Sequence, residues 1–288
     1  MARQIPASEL PLQGDGAIYH LDLHPEELAD NVILVGDPGR VSLISGMFDT
    51  VEVCKQNREL ITHTGTYKRK RISVISTGMG TDNIDIVLTE LDALANIDLR
   101  TRTVKEEHRT LNLVRVGTSG ALTANIECGS FLASAYGLGI DGMLRYYDTG
   151  DLICEDLVEE FVRHTGWDDR LPYPYGTAAS PELLSRIAHD MLQGITVSAP
   201  GFFGPQGRFV RACLKYPELN QKIETFSYHG IPITNMEMEC SAICGLGNLL
   251  GHRPLTVCLI IANRVTGKFL DDYHDRMEEL CRTVLERI

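Results

Sequence analysis

Two arginines stand beside glycine-rich segments. Arg40 closes the run Gly36-Asp37-Pro38-Gly39-Arg40, and Arg115 lies just before Gly117-Thr118-Ser119-Gly120. A third glycine turn, Gly78-Met79-Gly80, follows another apolar stretch. Glycines let the backbone approach a ligand closely, and their N–H groups bind anions. A guanidinium adds a charged, forked donor, so the combination suits inorganic phosphate. Taken singly, each reads more readily as a plain tight turn, with Arg40 on a solvated helix face; the three together make the two readings even. The segment Asn235-Met236-Glu237-Met238-Glu239, if extended, puts both carboxylates on one side and both methionines on the other. A carboxylate can accept from two vicinal hydroxyls, as ribose offers, although a charged strand end over core methionines gives the same pattern. Gln206 and Arg208 place an amide and a guanidinium two residues apart, in what is otherwise an ordinary polar loop.

Other chemistries fit less well. Gly78–Asn83 lacks the third glycine of a dinucleotide fingerprint, and Gly267-Lys268-Phe269 lacks the glycine and hydroxyl of a P-loop. Gly117–Gly120 is not a nucleophile elbow. The nine histidines are dispersed without a His-Glu-x-x-His pair, so no metal is expected.

The elements that must hold these residues alternate along the chain. Short β-branched runs at Asn31–Gly36, Arg71–Thr77, Leu111–Val116, Ile195–Ala199, Ile231–Met236 and Leu255–Ala262 read as strands. Helical spacing fits Val41–Phe48, Thr81–Ile97, Pro181–Leu192 and Asp272–Ile288, with Asp82 able to support the first turn of the second of these. The three glycine-bearing segments, Gly36–Arg40, Gly78–Gly80 and Gly117–Gly120, are thereby expected as turns at strand ends, where ligands of α/β sheets bind. Alternation of this kind implies an α/β fold with helices on both faces of a largely parallel sheet. The polar cluster Arg100–His108 is expected as an exposed helix extension or loop. No linker or repeat interrupts the pattern, so residues 1–288 are read as one domain.

Composition narrows the class. The chain has 288 residues and a formal charge of −12, which disfavours nucleic acid as a partner. Eight scattered cysteines, several in apolar runs, read as reduced thiols. The N-terminal segment lacks a secretory h-region, and the longest buried run is too short for a bilayer. A cytoplasmic enzyme with no membrane contact is expected.

The ordered motifs Gly-Asp-Pro-Gly-Arg-Val, Ser-Thr-Gly-Met-Gly, Val-Arg-Val-Gly-Thr-Ser-Gly-Ala-Leu, Phe-Phe-Gly-Pro-Gln-Gly-Arg-Phe, Asn-Met-Glu-Met-Glu-Cys-Ser-Ala and Ala-Asn-Arg resemble the nucleoside phosphorylase family, most closely its uridine phosphorylases. The likeness runs from about Tyr19 to about Arg264. It implies an α/β domain with a central mixed sheet flanked by helices, and active sites at subunit interfaces of a homo-oligomer, dimer or hexamer. It implies phosphate binding by Gly36, Arg40, Arg115 and Thr118, with Arg58 reaching phosphate from a neighbouring subunit. His20 would serve a neighbour's ribose, and Glu237, Met238 and Glu239 the ribose of their own site. Phe202, Gln206, Arg208 and Arg264 would meet the base. Without the resemblance, Arg58 and His20 read as surface residues.

The implied reaction is phosphorolysis of uridine, with inorganic phosphate as co-substrate and no cofactor. Arg115, Arg208, Gln206 and Glu239 would carry it by positioning and electrostatic stabilisation. Purine relatives place an Asp where this chain has Ala262-Asn263-Arg264. A purine nucleoside phosphorylase, a hydrolytic nucleosidase and a non-catalytic nucleoside binder remain the alternatives. The segment 96–112 is longer than in compact bacterial relatives, which leaves dimer and hexamer open, and Met79–Asn83 departs from their usual Gly-Gly-Pro-Ser, so the resemblance does not say whether the interface cation of some relatives binds here.

Overall fold

The computed structural model describes residues 3–288. It begins with β1 (Asn31–Val35), α1 (Pro38–Ser45), β2 (Thr50–Asn57), β3 (Leu60–Tyr67), β4 (Lys70–Ser76) and α2 (Thr81–Asn96). A hairpin of β5 (Ile97–Asp98) and β6 (Thr103–Val104) leads to β7 (Asn112–Ala121), β8 (Phe131–Gly139), α3 (Glu155–Thr165), β9 (Tyr175–Ala178) and α4 (Pro181–Ile187). The last third holds β10 (Leu192–Ser198), α5 (Leu219–Glu224), β11 (Ser227–Tyr228), β12 (Ile231–Glu237), α6 (Cys240–Leu249), β13 (Arg253–Asn263), β14 (Lys268–Phe269) and α7 (His274–Arg287). Among the described residues no helix is long and apolar enough to cross a membrane.

All strands but β5 and β6 form one sheet ordered β11-β12-β10-β8-β13-β7-β1-β4-β3-β2, with β9 on β8 and β14 on β13. The sheet is mixed rather than largely parallel. β4, β1, β7 and β13 are parallel neighbours, while β2, β3 and β4 form an antiparallel meander and β8 opposes β13. Successive residues of β1 face opposite layers, as a strand covered on both sides requires. Val32 and Leu34 join Ile84, Leu88 and Leu91 of α2 and Ile243 of α6, whereas Ile33 and Val35 join Val41 and Ile44 of α1 and Leu280 and Val284 of α7.

β12 also touches β7, Asn235 opposite Ala121 and Met236 opposite Gly120, so β7, β13, β8, β10 and β12 close into a ring. A buried chain of side chains fastens it. Ser134 Oγ and Thr196 Oγ1 lie 2.6 Å apart, Thr196 donates to Asn235 Oδ1 at 2.7 Å, and Asn235 Nδ2 donates to Ser119 Oγ at 2.8 Å. Polar groups satisfied this fully specify one register. Closure brings the end of β12 back along β7, towards Arg115, and opens the ends of β1, β4, β7 and β13 on the same edge.

Three expectations change. Gly117–Gly120 is not a turn: β7 runs through it to Ala121, paired with β13 along its length. The expected helix at Val41 starts at Pro38, because Asp37 accepts from the Gly39 N–H at 2.9 Å and caps it, and ends at Ser45. The cluster 100–108 is neither helix extension nor free loop. Asp98 accepts from the N–H groups of Arg100 and Thr101, which turns the chain into the β5–β6 hairpin. Lys105 and Arg109 then tie the segment to Ala95 and Asp30.

α6 lies close on the sheet. A Cβ at Gly137 would come within 2.8 Å of Ser241 Cα and 3.0 Å of the Cys240 carbonyl. Backbone cannot yield as a side chain does, so Gly137→Ala should cost about 1–3 kcal/mol of stability. Denaturant unfolding measures this, and an unchanged midpoint would contradict the close approach.

Candidate active site

At the shared edge of the strands lies a cavity of about 970 Å³. Arg115 is its most constrained wall residue. It is only 5% exposed, its Nη2 donates to Glu239 Oε2 in a short ion pair, and its Nη1 lies 3.2 Å from Glu237 Oε2. The side chain folds back over its own strand, so a Cβ at Gly117 would sit 2.0 Å from Nη1. This explains a glycine within a strand. Burial disfavours the guanidinium charge, but Glu239 and Glu237 more than offset that and hold Arg115 protonated. Cys258 lies 3.6 Å from Nη1, and burial pushes its thiol up to about 12, so it remains an uncharged neighbour.

The two carboxylates are not equivalent. β12 ends at Glu237, and Glu239 is already the N-cap position of α6, so the pair does not share one extended segment as expected. Glu237 Oε1 accepts from Ser198 Oγ at 2.7 Å, and its oxygens also accept from the N–H groups of Glu239 and Cys240. Glu237 thus caps α6 and orients Arg115. Burial pushes its carboxyl up, opposed by Arg115, and reinforced by Glu239. Glu239 Oε1 accepts from Gly80 N–H at 2.7 Å, which ties it to the start of α2. Asp82 makes no capping hydrogen bond there; Gly80, with φ of 100°, stands at the N-cap. Met238 is half-buried in the wall beside Glu239.

Gly36, Arg40 and Thr118 line the same cavity. Arg40 reaches from α1 to donate to the Val116 carbonyl at 3.2 Å. Burial weakens its charge, and the nearby Arg115 does so too. Two guanidinium groups that repel one another across one wall make a surface chemically suited to an anion. A Cβ at Gly36 would meet the Gly78 carbonyl at 3.3 Å, so the ends of β1 and β4 approach closely here.

A second arginine pair comes from Arg208 and Arg264. Gln206 is buried; its Nε2 donates to the Glu237 carbonyl at 3.4 Å and its Oε1 accepts from Arg208 Nη1. Arg208 stacks over Phe202 with 3.7 Å from Cζ to the ring centroid, and donates to the Phe202 carbonyl at 2.6 Å. Burial, then the charge of Arg264, bring the Arg208 guanidinium down from its usual value. Among the described residues, Arg264 Nη1 and Arg115 Nε are buried donors without a partner. Unpartnered buried donors are costly unless a ligand completes them.

His20 and Arg58 do not line this cavity. They lie together outside it. Arg58 is at the tip of the β2–β3 hairpin, exposed, and Asn57 Nδ2 donates to the carbonyls of Tyr19 and His20 at 3.2 and 3.0 Å. Other wall residues carried no sequence signal for this site: Glu59 and Asn83 near the first arginine pair's turns, and Lys268 and Phe269 on β14. The set Asp92, His108 and His252 has metal-ligand spacing away from the cavity. There the Leu111 N–H donates to His252 Nδ1 at 3.2 Å, so a neutral ring keeps its proton on Nε2 and does not offer that nitrogen to a metal.

Residues 30–288 match the Phosphorylase superfamily. The chain belongs to it. Uridine phosphorylase of Thermococcus kodakarensis is 29% identical over 280 residues, covering 93% of this chain and 86% of that protein. The crystal structure of Trypanosoma brucei nucleoside phosphorylase, which shows uridine phosphorylase activity, superposes with a TM-score of 0.85 at 32% identity, covering 96% of this chain and 98% of the other. The DeoD-type purine nucleoside phosphorylase of Clostridium novyi is 27% identical over 252 residues, covering 86% of this chain and 89% of that protein. The chain is therefore an enzyme of the nucleoside phosphorylase family, a pentosyltransferase, with the mixed sheet and flanking helices that the motif order implied.

For this phosphorylase the Arg115–Gly117 contact gives a direct test. Gly117→Ala should drive the guanidinium off Glu239, costing about 1–3 kcal/mol of stability and at least tenfold in kcat/KM. Wild-type kcat/KM in a folded Gly117→Ala protein would contradict the placement of Arg115.

Proposed function

We propose that the chain cleaves uridine with inorganic phosphate, giving uracil and ribose 1-phosphate. The observation that carries this reading is one cavity lined by both arginine pairs, Arg40 with Arg115 and Arg208 with Arg264, together with Glu239 and Gln206. An acidic chain that concentrates four guanidinium groups in one cavity is built to meet negative charge at two places.

The chemistry requires both. As the bond from ribose C1′ to uracil N1 lengthens, the sugar becomes oxocarbenium-like and the base gains negative charge. Arg40, Arg115 and Thr118 would hold phosphate beneath C1′, where its own charge offsets that of the sugar. Glu239 would accept from the 2′- and 3′-hydroxyls while Met238 packs on the ribose. Gln206, Arg208 and Arg264 would stabilise the departing uracil through its carbonyls and N3–H, with Phe202 at the ring. A phosphate oxygen then bonds to C1′, and uracil leaves with the electron pair, taking a proton from solvent. This is positioning and electrostatic stabilisation without a covalent enzyme intermediate, and it uses no cofactor.

The purine reading rests on relatives such as the DeoD-type enzyme. Against it stands the segment Ala262-Asn263-Arg264, which holds no Asp where the purine pattern has one. Asn263 Nδ2 donates to the Thr123 and Ile126 carbonyls of the β7–β8 connection and its Oδ1 accepts from Val265 and Thr266, so the amide is engaged in tying two loops together. A homo-oligomer with shared sites is supported by His20 and Arg58, which lie together outside their own cavity. Arg58 also holds a φ of 54°, a left-handed conformation that glycine takes more cheaply.

Two measurements test the proposal. In a nucleoside panel, uridine should release free base only with phosphate present and far faster than cytidine, whose unprotonated N3 faces the Gln206 acceptor; each mismatched buried group costs about 1–3 kcal/mol. Base release without phosphate, or inosine and cytidine cleaved as fast as uridine, would sink the assignment. Separately, Arg58→Gly should keep stability or raise it by up to about 1 kcal/mol, yet raise KM for phosphate about tenfold or more. An unchanged phosphate KM in the intact oligomer would remove Arg58 from the site.

A further inference from the structure

Glu90, on α2, is only 6% exposed. Carboxylates are rarely buried so deeply without a cation. Among the described residues no Lys or Arg pairs with it; every group it binds belongs to the dipeptide His20-Leu21. Its oxygens accept from the His20 N–H at 2.9 and 3.0 Å and from the Leu21 N–H at 2.8 Å, and Oε1 lies 2.7 Å from His20 Nδ1. An ionised carboxylate only accepts, so the ring proton must sit on Nδ1. Nε2 is then the nitrogen left free, on a side chain that remains 27% exposed.

Two further contacts restrain the residue, one on the ring and one on its backbone. Tyr19 packs edge-on against it at 4.9 Å between centroids, and Asn57, beside Arg58 in the β2–β3 hairpin, holds the His20 carbonyl. The ring is thus fixed in tautomer and direction although it does not line the arginine-bearing cavity of its own subunit. A carboxylate that orients an imidazole for another group's use is a familiar physical device.

We propose that Glu90 is a positioning residue for ribose recognition in a neighbouring subunit's site, holding His20 so that Nε2 accepts from the nucleoside 5′-hydroxyl. This rests on the shared-site reading above, in which His20 is lent across the interface. Glu90→Gln keeps the size of the side chain and an oxygen for the backbone N–H groups. It also sets an amide NH₂ against Nδ1, which reverses the tautomer and turns Nε2 into a donor.

The test compares uridine with 5′-deoxyuridine, which lacks the group His20 would meet, in the intact oligomer. Glu90→Gln is expected to raise KM for uridine about tenfold, with kcat little changed, and to leave 5′-deoxyuridine within about twofold of wild type. His20→Ala should show the same selectivity, and the double variant should add no further loss. Equal losses on both substrates for Glu90→Gln, with His20→Ala still selective, overturn the role of Glu90. A His20→Ala variant that does not distinguish the substrates overturns the shared-site reading itself. If Glu90→Gln does not fold, ¹⁵N resonances of the wild-type His20 ring decide the matter. A protonated Nδ1 with a bare Nε2 in the neutral ring supports the proposal, and the reverse pattern overturns it.

Discussion

A buried guanidinium cannot be left alone, and much of this structure is arranged around that fact. Arg115 is buried at the sheet edge between Glu237 and Glu239, and a buried charge stripped of its partners costs about 3–5 kcal/mol. Several otherwise separate features follow from this. Gly117 must lack a side chain so that Arg115 can fold over it. β12 must return along β7 to bring Glu237 and Glu239 within reach, and the Ser134–Thr196–Asn235–Ser119 chain fastens that return. α6 must begin at Cys240, because Glu237 caps it while pairing with Arg115.

The same arrangement reconciles a strongly acidic chain with an anion-binding reaction. A net charge of −12 repels polyanions at long range, but that field is screened within about 10 Å at ordinary ionic strength. Inside the cavity the local charges decide. Arg40 and Arg115 repel one another, as do Arg208 and Arg264, and burial weakens the charge of Arg40, Arg208 and Arg264. Only for Arg115 do fixed carboxylates reverse the balance. The remaining arginines are held in a state that a negatively charged ligand relieves, which is the electrostatic preorganisation that phosphorolysis needs.

How much of this was legible in the sequence depended on the range of each interaction. β1, β4 and β13 announce themselves as β-branched runs, and α2 by its spacing, because covered strands and amphipathic helices leave local patterns. The motif order carried the family and gathered Gly36, Arg40, Arg115, Thr118, Phe202, Gln206, Arg208, Glu237, Met238, Glu239 and Arg264 into one cavity wall. Gly117–Gly120 was misread as a turn because glycine usually is one; only the tertiary path of Arg115 explains it in a strand. β2 is largely polar and half-exposed, and α6 is buried nearly all round, so neither shows a clear period. Ser198 and Glu90 are polar residues in segments that also carry other polar residues, Thr196 beside the first and Thr89 and Asp92 beside the second, so neither stands out by type. Their roles arise from contacts with residues 39 to 70 positions away, which no local window contains.

The central claim is that Arg115, held over Gly117 by Glu239 and Glu237, is the principal phosphate-binding charge. Its most direct test is calorimetric titration of inorganic phosphate into the wild-type protein and into Arg115→Met, which preserves bulk and removes the charge. Loss of a charged hydrogen-bonded contact of about 1.5–3 kcal/mol predicts phosphate affinity at least tenfold weaker in the variant. Phosphate binding of wild-type strength to a folded Arg115→Met protein would contradict the account.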